Sequence, residues 1–400
     1  MLIGIRKEDK NIWEKRVPLT PSDIQGLIRK EKIEFQVESS ARRVFSDADY
    51  AAAGAKVVKS AAACPIVFAV KEMPVSFFRS NGVYIFFSHT IKGQKAGMPM
   101  LKKLLDLPCT LIDYEKITDG DGRRLIAFGR HAGIAGMMDS LWAYGRRLDS
   151  EGVSNPFRQL KPAHAYPSLG AIREAVIQAG RQMRTTLVCG FTGYGRVSQG
   201  AQEIFDLLPA SQAKKIVFKE SDLFERADGA PFDLRDYYQT PQNYRSVFEK
   251  YLPGLDLLIN AIYWEKKYPR LVTKAGLKKA PRLKVIGDIS CDVEGSIEVT
   301  VKATDPGNPV YVYDLEKDRA LDGFKGSGPV ILAVDNLPCE VAREASTDFS
   351  AALKPLVPAI AKADYALPFE KLSLPAELKK AVICHGGRLT PGFEYLKGAL

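Results

Sequence analysis

Lys71 and His89 each stand just beyond an apolar run that reads as a buried strand, Val67–Val70 and Tyr84–Ser88 respectively. In open α/β sheets ligands gather outside the carboxyl ends of strands, so both side chains fall where a site forms. Partial burial lowers a lysine's pKa and makes it a usable general base, and an imidazole exchanges protons near neutrality. Taken singly, each reads more readily as a structural or solvated residue. Two adjacent strand ends presenting a Lys and a His together read as a proton-transfer pair. Arg16, within Trp13–Pro21, and Arg124, ahead of Leu125–Phe128, carry planar forks suited to carboxylates, although a lone arginine is commonly a surface ion pair. Asp288 and Asp292 bracket Ile289-Ser290-Cys291 after another buried strand. No His or Glu lies at ligand spacing from them, which argues against a metal.

A second signal is Gly193-Tyr194-Gly195, between the apolar Thr185–Cys189 and the helical Ala201–Leu208. In such a turn the first glycine bends the chain and the second lets backbone approach a pyrophosphate. The following helix N-terminus then meets the phosphate charge. Ser198 holds the third position of the pattern, where glycine is usual, with Gly200 two residues on. A tight turn without a ligand is the plainer alternative. The next strand ends Ile216-Val217-Phe218-Lys219-Glu220. A carboxylate at Glu220 would accept from ribose hydroxyls and favour NAD, whereas Lys219 with Arg226 would pair with a 2′-phosphate and favour NADP. Either reading leaves NAD or NADP open, and surface roles remain available to all three.

These residues need elements to hold them. The chain has 400 residues, 46% hydrophobic and 26% charged, long enough for two cores and too apolar for a disordered chain. Strand patterns at Leu2–Arg6, Glu34–Val37, Ile66–Val70, Val83–Ser88, Thr110–Tyr114 and Leu125–Phe128 alternate with helical ones at Pro21–Lys30, Pro99–Leu107 and Gly133–Leu148. That alternation predicts βαβ units, hence α/β architecture with mainly parallel sheets. A polar, Pro-containing stretch at 150–167 marks a boundary. Further strands are expected at Ile216–Phe218, Leu257–Ile262, Leu283–Ile289 and Val330–Val334. Glu340–Lys362 reads as helix split by Pro355 and Pro358, returning to the first domain. Residues 365–400 carry no signal.

The net charge of +10, from 57 basic and 47 acidic residues, comes in short pairs such as Arg146-Arg147 rather than a polybasic block. It suits carboxylate-bearing small molecules better than nucleic acid. No apolar run approaches the ~20 residues of a membrane span, and the first residues lack the apolar core of a signal peptide. Six cysteines without a CxxC pair read as reduced thiols. The expectation is a soluble, cytoplasmic chain, monomeric or a small homo-oligomer.

Longer runs carry a resemblance. Ile5–Glu8, Glu14–Pro21 and Val70–Pro74 resemble the alanine dehydrogenase/transhydrogenase superfamily. Phe86–Lys92, Thr192–Phe205, Asp288–Asp292, Asp335–Pro338 and Arg343–Ala345 are similar, within it, to the lysine-forming saccharopine dehydrogenases and lysine–ketoglutarate reductases. The resemblance implies two Rossmann-like domains with a cleft between them: a substrate domain at 1–133 completed by 337–400, and a dinucleotide domain at 134–336. It implies interconversion of saccharopine with L-lysine and 2-oxoglutarate by hydride transfer at a secondary amine. Lys71 would then be the base at the amine and His89 the acid/base for imine hydrolysis. Arg16, Arg124 and Phe128 would hold substrate, with Glu72 and Glu115 tuning the site. For the cofactor it implies Gln94, Gly193, Gly195, Arg196 and Glu220, then Ile262, Asp288, Asp292, Val334, Asp335, Asn336 and Leu337. Its alternatives are an alanine-type amino-acid dehydrogenase and a catalytically silent, nucleotide-binding lysine sensor.

Overall fold

The structure, a computed structural model, describes residues 1–400. Its internal contacts divide the chain into two units, Met1–Phe128 with Ala342–Leu400, and Gly129–Val341. The divisions lie at 128/129 and 341/342 because the helix Gly129–Ser150 and the turn Leu337–Val341 each begin or end a unit whole.

In the first unit, apolar runs closed by turns form β1 (Leu2–Ile5), β2 (Glu34–Glu38), β3 (Lys56–Val58), β4 (Ile66–Phe68), β5 (Val83–Phe86) and β6 (Thr110–Asp113). They pair in the order β6-β5-β4-β1-β2-β3, every neighbour parallel. The order reverses between β1 and β4, the switch point beside which open α/β sheets place their ligands. The first crossover helix, Pro21–Glu31, starts where Thr20 Oγ1 accepts the Asp23 N–H and Pro21 presets the backbone. Leu125–Phe128, expected as a strand, is irregular. Arg124 makes one isolated bridge to Thr118, Leu125 is 38% exposed, and Phe128 turns in to pack as a ring.

The chain returns to this unit after residue 341. The segment expected to split at its prolines does so, into helix Ala342–Leu353, a 3-10 turn Lys354–Leu356, and helix Val357–Lys362. Ser346 and Ser350 hydroxyls accept the N–H groups of Val17 and Thr20 at 3.0 and 2.9 Å, so the returning helix holds the Arg16 segment. Residues 365–400 carry structure that their sequence does not announce. Val382–His385 and Arg388–Leu389 form an antiparallel hairpin that covers the edge of β6. An open edge there would expose unpaired backbone groups.

The second unit contains β7 (Leu187–Thr192), β8 (Ala213–Phe218), β9 (Phe224–Arg226), β10 (Tyr244–Ser246), β11 (Leu257–Asn260), β12 (Val285–Asp288), β13 (Val310–Asp314), β14 (Arg319–Asp322) and β15 (Val330–Leu332). The parallel core runs β8-β7-β11-β12-β15, with β13 and β14 antiparallel beyond β15. β9 and β10 pair only with each other and, with the short helix Leu234–Gln239, make a small excursion between β8 and β11. No helix is long and apolar enough to cross a membrane.

The helix Gly129–Ser150 is buried on most of its circumference, from Gly133 through Ala143, which marks it as central to this unit rather than as a surface helix. It crosses the helix Arg196–Phe205 at bare backbone. A Cβ on Gly133 would sit 1.9 Å from the Val197 carbonyl oxygen, and one on Gly200 would sit 1.9 Å from that of Arg130. Main chain cannot yield as a flexible side chain can. Gly200→Ala is therefore expected to cost about 2–3 kcal/mol, as overpacking does, and to lower the melting temperature by several degrees. A variant melting with the wild type would show the crossing to be loose.

Candidate functional site

At the switch point of the first unit, Glu8 follows β1 and is buried. Its two carboxylate oxygens accept the backbone N–H groups of Val70 and Lys71 at 2.7 and 3.0 Å. Burial, and the charge of Glu14, push its pKa up to about 8. Those two hydrogen bonds fix the main chain that presents Lys71. The Lys71 ammonium is half-buried, and burial followed by the charge of Arg16 lowers its pKa from the ordinary lysine value. That is the direction a general base needs.

Glu72 follows and takes hydrogen bonds from two side chains. Lys10 Nζ donates to both its oxygens at 2.8 Å, and His89 Nδ1 lies 2.6 Å from Oε1. Burial raises the Glu72 pKa, but the hydrogen bonds from His89 and Lys10 outweigh it and bring the carboxyl down to about 2. Glu72 is therefore an anion near neutrality and only accepts, so His89 donates through Nδ1 and keeps Nε2 for proton exchange. His89 stands past β5 with φ +51°, a left-handed backbone uncommon outside glycine. Such strain collects at functional sites, where surrounding structure holds a side chain in place. Glu72 and His89 also line a cavity of about 490 Å³, walled by Met73, Pro74 and Met100.

Arg16 is buried, with Nε and Nη2 on Glu14 at 2.8 and 2.6 Å. Its guanidinium lies 4.1 Å from the Phe128 ring centroid, and Phe128 stacks on Phe349 of the returning helix at 4.5 Å. Arg16, Lys71, Glu72 and His89 are thus brought together at one sheet edge. Glu115 and Arg124 pair with each other beyond the end of β6, the next strand along, with Arg124 half exposed. Gln94, expected on the cofactor, lies in this first unit, lines the cavity with His89, and accepts the Lys92 N–H at 3.1 Å.

In the second unit the strand order reverses between β7 and β11, and Gly193 follows β7 there. Its φ is +81°, and a Cβ on it would meet Ile262 Cγ2 at 3.2 Å. Nothing lies within 4 Å of the Cβ direction of Gly195, and no side chain caps the helix that opens at Arg196. Uncapped N–H groups facing open space form an anion cradle. Glu220 lies past β8 and its Oε1 accepts from the hydroxyls of Tyr238 and Tyr194 at 2.8 and 3.5 Å. Arg226, the other candidate phosphate partner, is ion-paired to Asp228 and Asp236. These features fit a dinucleotide: a glycine turn, an uncapped helix N-terminus and a carboxylate at the next strand end stand around one switch point.

The remaining expected residues divide. Ile262 and Asp292 are half-buried on loops past β11 and β12, and Asp335 is exposed past β15. Val334, Asn336 and Leu337 are buried. Asp288 is buried too, and its carboxylate is taken up by Asn260, Thr300 and the Cys291 N–H, so it holds the turn together. Sequence reasoning did not assign Glu8, Lys10, Glu14 or Tyr238. The first three lie within or beside the quoted N-terminal motifs, but their partners are set by strand pairing. Tyr238 has no local signal.

The N-terminal domain family of alanine dehydrogenase/PNT matches residues 4–135, and the corresponding C-terminal domain family matches residues 232–391. Alpha-aminoadipic semialdehyde synthase of Arabidopsis thaliana is 36% identical across 99% of this chain, which spans 41% of that relative. Its Mus musculus counterpart, designated mitochondrial, is 33% identical, with 47% of its length covered. The chain thus spans less than half the length of these relatives. The NAD(+), L-lysine-forming saccharopine dehydrogenase of Emericella nidulans is 29% identical, over 88% of this chain and 90% of that protein. Among solved structures, an L-alanine dehydrogenase superposes with a TM-score of 0.68 at 20% identity, covering 100% of this chain and 99% of that one. The last likeness is one of fold.

The depressed pKa of Glu72 has a consequence for stability. A carboxyl at about 2 in the folded chain and 4.5 unfolded contributes stability that is complete above pH 4.5 and disappears as pH falls towards 2. Glu72→Gln should lose this contribution, so its melting temperature is expected to lie below that of wild type at pH 6 and approach it at pH 3. Parallel curves across that range would contradict the ion-pair assignment.

Proposed function

The chain belongs to the alanine dehydrogenase/PNT family, and on that premise we propose that it interconverts saccharopine with L-lysine and 2-oxoglutarate, using a nicotinamide dinucleotide. The observation that carries this reading is the Lys71, Glu72 and His89 constellation at the ends of two neighbouring parallel strands. Oxidising a secondary amine and then hydrolysing it needs two proton-handling groups, one for nitrogen and one for water. A simple oxidation of an alcohol would need one.

In the oxidative direction, neutral Lys71 takes the proton of the secondary amine as hydride leaves the glutarate α-carbon. The carbon–nitrogen bond becomes an imine. His89, held through Nδ1 by Glu72, takes a proton from water at Nε2 as oxygen adds to that carbon. Lys71 and His89 return those two protons to nitrogen, and one of them, neutral again, takes the hydroxyl proton as the carbinolamine collapses, so the bond breaks to the lysine ε-amine and a ketone. Arg16 supplies a cation beside Lys71, and Arg124 is the exposed fork of its pair, suited to a substrate carboxylate. Gly193, Gly195 and Arg196 are assigned to the pyrophosphate and Glu220 to the adenosine ribose, with Ile262, Asp292 and Asp335 bordering the rest. When bound there, a nicotinamide dinucleotide supplies the hydride acceptor. NAD rather than NADP fits a carboxylate at Glu220. Six cysteines without a CxxC pair suit a reducing compartment, of which the cytoplasm is the one proposed.

The test is absorbance of the reduced nicotinamide with lysine plus 2-oxoglutarate, NADH against NADPH, with pyruvate plus ammonia as the control. Oxidation that requires both lysine and 2-oxoglutarate is the expected result, and turnover with pyruvate and ammonia instead would replace the reading with an alanine-type dehydrogenase. Lys71→Met should bind cofactor as wild type does and lose about 100-fold or more in turnover. In the oxidative direction wild-type activity should rise with pH as Lys71 loses its proton, with a midpoint below that of an ordinary lysine.

A further inference from the structure

The excursion between β8 and β11 is longer than a crossover needs, and it packs around aromatic rings. Tyr237 stacks on Phe224 at 4.8 Å and meets Tyr244 edge-on at 5.3 Å and Tyr268 at 5.3 Å. From this aromatic base two polar features project. One is Tyr238, whose hydroxyl donates to Glu220 Oε1 at 2.8 Å. Both tyrosine hydroxyls converge on Oε1, which leaves Oε2 as the atom a ribose hydroxyl would meet.

The other feature is Arg226, on β9. Nε and Nη2 donate to the two oxygens of Asp228 at 3.0 and 2.7 Å, and Nη1 donates to Asp236. Its guanidinium also lies 5.8 Å from the Tyr244 ring centroid. Asp236 is itself fixed: Tyr244 and Thr240 hydroxyls donate to it at 2.9 and 2.7 Å, and Asp233 caps its N–H at 2.7 Å. The arginine nearest in sequence to Glu220 is thus clamped by two carboxylates on the module that also supplies Tyr238. A guanidinium committed to two carboxylates is a poor receptor for a phosphate dianion, because binding would bring the phosphate against both negative charges.

We propose that the segment 224–246 is a cofactor-specificity module, which latches Arg226 on Asp228 and Asp236 and so withholds it from a 2′-phosphate beside Glu220. The inference rests on the assignment of Glu220 to the adenosine ribose. Discrimination against NADP is then double: Glu220 repels the phosphate, and the cation that would attract it is held elsewhere. Removing the carboxylate alone leaves the second barrier in place.

The experiment is a fluorescence titration of NADH and NADPH on the full chain, in wild type, Glu220→Ala, Glu220→Ala/Asp228→Asn/Asp236→Asn, and that triple variant with Arg226→Met added. Wild type should favour NADH, and Glu220→Ala should weaken NADH binding. The triple variant should bind NADPH about tenfold more tightly than Glu220→Ala does, one charge-assisted contact's worth. Adding Arg226→Met should abolish that gain. Asp228 has a 56% exposed side chain and can be changed without disturbing packing. Glu220→Ala/Asp228→Asn should therefore show about a threefold gain even where the triple variant melts early. If Glu220→Ala weakens NADH as expected while releasing Arg226 changes nothing for NADPH, the latch is overturned and the cofactor assignment stands. A gain that survives Arg226→Met would also overturn it and point to Lys219. Wild type that binds neither dinucleotide, or prefers NADPH, overturns the assignment and the latch together.

Discussion

Parallel pairing is the constraint from which the rest follows. A parallel strand cannot hand the chain directly to its neighbour, so each one leaves the sheet at its carboxyl end and returns by a crossover. Glu8, Lys71, His89 and Glu115 follow β1, β4, β5 and β6, and the parallel order of those strands sets them along one edge. The strand order reverses between β1 and β4, so the crossovers diverge there and the edge stays open. Glu8 bridges that gap, accepting from the main chain of Val70 and Lys71. A carboxyl group that joins the two divergent strands also sets where Lys71 stands, so the position of the proposed base depends on it.

Charge at this edge is paired before any substrate arrives. Glu14 takes Arg16, Glu72 takes both Lys10 and His89, and Glu115 takes Arg124. The net charge of +10 is therefore a poor guide to the local field. Lys71 lies outside these pairs, close enough to Arg16 that the neighbouring cation adds to burial in lowering its pKa. A lysine locked into an ion pair would be pushed the other way and would hold its proton. The pairing of its neighbours is what leaves Lys71 suited to proton transfer.

What the sequence revealed and what it hid divide along the same physical line. Apolar runs and turn residues are local, so the parallel strands, the Gly193 turn and the split at Pro355 and Pro358 could be read directly. Leu125–Phe128 looked like a strand because it is apolar, but Phe128 answers to Arg16 and Phe349, which lie far away in the chain. Asp288 looked like a ligand-facing acid at a strand end, yet Thr300 and Asn260 take its carboxylate. The hairpin at 382–389 escaped because its strands are short and pair antiparallel at an edge. Each omission is a case where the partner, and not the residue, decides the role.

The Gly193 turn departs from the usual spacing of its motif and still leads into a closely packed helix. The usual third glycine lets the helix pack closely, and here Ser198 occupies that position, fully buried, with its hydroxyl taking a hydrogen bond from Gln202. Gly200 assumes the role instead. It meets the backbone of the helix Gly129–Ser150 near Arg130, while Gly133 of that helix meets Val197 in return. Contact between bare main chains is the stiffest way to place two helices, since no rotamer can absorb a shift. That contact fixes the axis of the helix Arg196–Phe205, and hence the direction in which its uncapped N-terminus points. The spacing of the motif has moved by two residues because the partner is a helix lying across it, and the orientation of the uncapped helix N-terminus is set by that crossing.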